Sequence, residues 1–120
     1  MQTMTIEEAV ARRFRLAKAP TLVVQPEGVS PMAFTRLRDE GPFRGRTLAV
    51  PPEDAFEFQV ALAAMSSGEI WVNGNHTELG EVSPGDTFVF DLNTNPNGNL
   101  SPPYDFLRFY LPVTALDQLT

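Results

Sequence analysis

Few side chains in this sequence could do chemistry, and their spacing restricts what that chemistry can be. There is one histidine, His76, just after the Asn-Gly-Asn stretch at 73–75. A two-histidine, one-carboxylate metal site needs a second imidazole, which one chain cannot supply. The absence of cysteine removes thiol catalysis, Cys–zinc sites and disulfides. Glu53 and Asp54 follow a Pro-Pro pair and read as loop residues, not as a general acid and base. The stretch "GPFRGR" at 41–46 could meet an anion, but it lacks the spacing of a phosphate-cradling loop. No Gly-x-Ser-x-Gly elbow occurs. As a general base His76 would need a positioned partner, and the sequence names none, so it reads as an exposed hairpin residue. "SPGDTFVFDL" at 83–92 places a Pro-Gly-Asp turn before an alternating strand, and the turn reads as structural. The inventory therefore predicts a container or an interface, not an enzyme, with no cofactor and no metal.

The elements that would position such residues are mostly strands. Residues 5–18, "TIEEAVARRFRLAK", read as an amphipathic helix with Ile6, Val10 and Phe14 on one face. Thr5 and Glu8 have capping-box spacing, and Pro20 would end the helix. This gives an N-terminal helical arm at 1–20 and a β-barrel at 21–120. Strand-like runs follow at "TLVVQ", "MAFTRLR", "RTLAV", "AFEFQVALA", "EIWVN", "HTELGEV", "TFVFDL" and "YDFLRFYLP", separated by turn residues. "NGN" predicts a tight hairpin, and "NTNPNGNLSPP" reads as a loop. Eight or so short strands predict an all-β jelly-roll barrel. The tail "VTALDQLT" starts a helix of about two turns, too short to stand alone in water.

In "AFEFQVALA" the large apolar residues fall on even positions, which predicts that Phe56, Phe58 and Val60 face the core. The same parity turns Ile70, Val72, Phe88, Phe90, Leu107 and Phe109 inward. A pocket in that interior would be lined by Phe58, Val60, Phe88 and Phe90, with Arg46, His76 and Tyr104 at its mouth. Trp71, Phe106 and Tyr110 fall out of phase, so they are expected on the outer face. There they would lie under a terminal helix or, with Leu116 and Leu119, in a dimer contact.

The chain has the length of one domain. Its net charge of −6 is uneven: residues 1–46 hold eight of the nine Lys and Arg. An acidic body repels a phosphate backbone, so direct nucleic-acid binding is not expected. No apolar run approaches the roughly 20 residues of a membrane span, and no leader pattern opens the chain. The expected location is the cytoplasm, without membrane association.

Taken in order, "VPPEDAFEFQVAL", "EIWVNG", "SPGDTFVFDL" and "SPPYDFLRFYLPVTALDQL" resemble the N-terminal sensor domain of AraC-type transcription regulators over roughly residues 30–120. The resemblance implies a cupin-like barrel that binds a small effector and mediates homodimerisation. Members of that family continue into helix-turn-helix motifs, and no such segment follows here. The expectation is a non-enzymatic sensing and dimerisation domain without its own DNA-binding domain. The alternatives are a metal-independent, isomerase-like cupin enzyme and a dimerisation partner that modulates a full-length regulator.

Overall fold

The computed structural model describes residues 4–120, so the first three residues of the expected arm lie outside the described residues. Helix α1 spans Ile6–Arg13. The Thr5 hydroxyl caps it, accepting from the Glu8 N–H at 3.1 Å and donating to the Glu8 carboxylate at 2.9 Å. The helix stops well before Pro20. Arg15 takes a left-handed conformation, φ +58°. Its N–H then bonds the Arg12 carbonyl at 3.1 Å, and the Leu16 N–H bonds the Ala11 carbonyl at 2.8 Å. This pair of bonds is a Schellman stop. Glycine usually marks that stop, and here an arginine stands in its place.

Eight strands follow: β1 Thr21–Val24, β2 Met32–Asp39, β3 Ala55–Ala61, β4 Gly68–Val72, β5 Asn75–Leu79, β6 Thr87–Asp91, β7 Asn97–Leu100 and β8 Tyr104–Pro112. Helix α2, Val113–Leu119, ends the chain. A large sheet in the order β1-β2-β8-β3-β6 faces a small sheet in the order β5-β4-β7, and every pairing is antiparallel. This is the all-β jelly roll expected from the sequence. The "NGN" hairpin joins β4 to β5, with Asn73 and Gly74 at positive φ.

Two segments depart from expectation. "RTLAV" is not a strand but a strap. Its Thr47 N–H bonds the Gly98 carbonyl at 2.8 Å and its Leu48 N–H bonds the Arg13 carbonyl at 2.9 Å, tying α1 to the small sheet. The expected loop at 93–103 contains β7, paired with β4 from Asn97 to Leu100. The packing there is close. A Cβ on Gly68 would lie 3.1 Å from Met65 Cε and 3.3 Å from the Asn99 carbonyl oxygen.

The largest correction concerns parity. On β3 it is Ala55, Glu57, Gln59 and Ala61 that are buried, while Phe56, Phe58 and Val60 are half-buried on the outer face. On β8, Tyr104, Phe106 and Arg108 are buried, and Leu107 and Phe109 lie opposite. The register carries the same parity across the sheet, joining Thr35, Arg108, Gln59 and Phe88 in one inward row. The outward set stacks on itself: Phe109 packs on Phe34 at 4.6 Å and on Phe58 at 5.9 Å between ring centroids. Helix α2 covers part of that face, burying Ala115 against Val29 and Met32. The main core lies between the sheets under α1, with Val10, Phe14, Leu37, Met65, Tyr104 and Phe106 packed together.

Candidate ligand-binding site

The inverted parity puts Glu57 in the barrel interior with no exposure of its side chain. A carboxylate can be ionised there only with cations and donors around it. Three side chains from three elements supply them. Arg13, on the last turn of α1, donates Nη1 to Glu57 Oε2 at 2.7 Å. Arg108 on β8 brings Nε to within 2.9 Å of the same oxygen. Gln59, two residues along β3, donates to Oε1. Burial alone would push the Glu57 carboxyl up. Arg108 and Arg13, helped by the Gln59 and Arg13 hydrogen bonds, outweigh it and hold the carboxyl below the usual range.

Arg13 Nε and Arg108 Nε are both buried without a hydrogen-bond partner among the described residues, but Arg13 bonds Glu57 and the Pro96 carbonyl through its other nitrogens, whereas Arg108 donates no hydrogen bond. Its side chain is only 6% exposed. The approach of its Nε to Glu57 is an ion pair without hydrogen-bond alignment, and that nitrogen has no other partner among the described residues. Arg108 also forms part of the wall of a cavity of about 410 Å³. Ile6, Ala9, Val10 and Arg13 of α1 line one side, Ser30, Pro31 and Val50 contribute from loops, and Leu92 from the short 3₁₀ helix Leu92–Thr94 after β6. Arg108, Tyr110 and Pro112 of β8 and Glu53 complete it. The Tyr110 hydroxyl donates to Glu53. Partial burial pushes the Glu53 carboxyl up, against the opposing pull of Arg108 and Arg13.

The expected site residues fall into separate places. Phe88 and Phe90 do face inward, but the space they line between the sheets is only about 30 Å³, room for about a water molecule. Phe58 and Val60 lie on the outer face and line no interior. Tyr104 is a core residue, 5% exposed, and burial pushes its phenol up to about 12. Arg46 and His76 are at no barrel mouth. They sit with Trp71 on the outer face of the small sheet, with the Arg46 guanidinium 3.9 Å above the indole. His76 Nε2 lies 2.8 Å from Glu69 there. Among the expected contact residues, Phe106 is 1% exposed and belongs to the core. Tyr110 is turned into the cavity. Trp71 is half-buried, and Leu116 and Leu119 are exposed on α2.

The sequence reading missed Arg13, Glu57, Gln59 and Arg108. Their signal was present. Glu57 and Gln59 alternate with phenylalanines in one strand, and Arg108 is the sole Lys or Arg after position 46. Among the described residues, no three His, Asp or Glu side chains converge as a metal site would require.

No family model matches the chain, and no curated protein matches it. Similar solved structures include KdgF from Halomonas sp., with 18% identity, 77% of this chain and 76% of that one covered, and a TM-score of 0.47. A cupin-2 domain containing protein from Shewanella frigidimarina has 9% identity, coverages of 75% and 78%, and a TM-score of 0.47. An HTH_3 family transcriptional regulator from Vibrio cholerae has 14% identity and a TM-score of 0.49 over 78% of this chain and 49% of its own. No residue role is taken from any of them.

Proposed function

We propose that this chain is a non-enzymatic small-molecule-sensing and dimerisation domain related to AraC-type regulators, and that its effector pocket is the cavity between α1 and β8. One observation carries the reading. A buried arginine with an unsatisfied nitrogen lines a cavity whose volume falls within the roughly 300–1,000 Å³ typical of small-molecule pockets. The first helix forms one wall, so an occupant would touch both the arm and the barrel. That gives a route from binding to a change at the surface.

The dimerisation half is supported by the outer face of the large sheet. Leu22, Phe34, Phe109, Phe58 and Val89 follow one another in register from β1 to β6. Leu22 and Val89 are 64% and 58% exposed. The row runs through the central strand β8, so a two-fold rotation can lay it on its own copy as an isologous contact.

A thermal-shift screen with sugars, short carboxylates, aromatic acids and divalent metals tests the pocket. Stabilisation by one organic class is expected, by about 2.7 kcal/mol when the ligand stands at a hundred times its Kd. Ala9→Phe, which fills the cavity, should abolish that response. Stabilisation by a metal alone would favour the enzyme alternative.

A further inference from the structure

The cavity's charge and wall chemistry specify its occupant further, resting on the ligand-pocket reading above. Two arginines, Arg13 and Arg108, face the single ionised carboxylate of Glu57. The hydrogen bonds Glu57 accepts come from Arg13 and Gln59, so the Nε atoms of Arg13 and Arg108 both lack an aligned acceptor; Arg13 is held by Glu57 and the Pro96 carbonyl through its other nitrogens, which leaves Arg108 as the guanidinium with no hydrogen bond among the described residues. A guanidinium this buried is a site for an anion able to take its hydrogen bonds. The wall beside it is apolar, made by Ile6, Val10, Val50 and Leu92. Glu53 and Tyr110 add polarity, but they are bonded to each other.

These features discriminate among ligands. A sugar needs several convergent donors and acceptors, and this wall offers it few. A phosphate dianion exceeds the one positive charge left over by the Arg13–Glu57–Arg108 group. An organic acid with one carboxylate and an apolar body fits both halves. We propose that the cavity binds a small organic monocarboxylate, its carboxylate on Arg108 and its body against Ile6, Val10, Val50 and Leu92. Glu53 is the resident carboxyl facing the same arginines, and it competes with the ligand for them.

Calorimetric titration at neutral pH with hexanoate, hexanamide, glucose and inorganic phosphate provides the test. Hexanoate should bind about tenfold or more tightly than hexanamide, the effect of one charge-assisted contact. Arg108→Gln should erase that preference. Arg108→Gln also removes a buried cation from the barrel interior, so Glu53→Gln at the rim serves as the second variant. It should tighten hexanoate about fivefold relative to hexanamide. Equal affinity for acid and amide, or a preference for glucose or phosphate, would overturn the monocarboxylate while leaving the pocket standing. No binding of any probe, with Ala9→Phe melting like the parent, would overturn the pocket and the proposal together.

Discussion

Glu57 shows how one residue can set the interior of a barrel. Its charge is tolerable only because Arg13, Arg108 and Gln59 converge on it. Glu57→Gln leaves two buried guanidinium groups close together without their anion. The expected loss is about 3–5 kcal/mol of stability by chemical denaturation, the usual result of breaking a buried pair. The pH dependence follows from the direction of the shift. The folded carboxyl titrates below its ordinary value of 4.5, so its contribution is complete above that value and is lost as the pH falls through the folded one. Glu53, shifted upward, acts oppositely: its contribution is present below 4.5 and lost as the pH rises through its folded value. The parent protein should therefore lose stability more steeply than Glu57→Gln between pH 4.5 and lower values in equilibrium denaturation.

At the scale of elements, much of the fold is legible in the sequence because turn chemistry is local. Asn73-Gly74, Ser83-Pro84-Gly85-Asp86 and the Thr5 cap each act within a few residues, and each was readable. In the Pro-Gly-Asp turn, Asp86 accepts from the Ser83 N–H at 2.9 Å, and the Gly85 N–H anchors to the Ala61 carbonyl at 2.7 Å. Strand parity was not readable in this way. Hydrophobic alternation marks a two-faced strand but does not say which face meets the interior. Here the interior takes the polar set of β3, whose carboxylate is paired through contacts 44 and 51 residues apart. β7 escaped notice because its residues have turn composition, and only pairing with β4 extends them. The early stop of α1 was hidden because Arg15 fills the position where a glycine would have signalled it.

Helix α1 is also the wall most easily moved, since it is short and held by its cap, its strap and Arg13. Thr5→Ala removes the hydroxyl that accepts from Glu8. The expected cost is about 1 kcal/mol. Hydrogen exchange should show it as faster exchange at Ala9, Val10 and Arg13, with β3 and β8 unaffected. Uniform acceleration across the molecule would mean that α1 does not open separately.

For the whole molecule, charge and apolar surface are arranged differently from what composition alone conveys. The basic N-terminal part is not merely a solvated surface, because Arg13 penetrates the acidic barrel and completes its interior. Among the described residues, no helix is long and apolar enough to cross a membrane. The exposed apolar row on the large sheet gives the dimer proposal a specific surface. Light scattering should give twice the 13.3 kDa chain mass for the parent. Leu22→Lys with Val89→Lys should give the single mass with little change in melting temperature, since both residues are exposed. A dimer that survives both substitutions would place the contact elsewhere, for example on Leu116 and Leu119 of α2.

The most direct test of the central claim follows the Arg108 side-chain Nε–H resonance by nuclear magnetic resonance during a titration with hexanoate. A saturable shift of that signal, with little change at Arg46, is the expected result. An unmoved Arg108 signal while other resonances report binding would contradict the assignment of this arginine as the ligand's anchor.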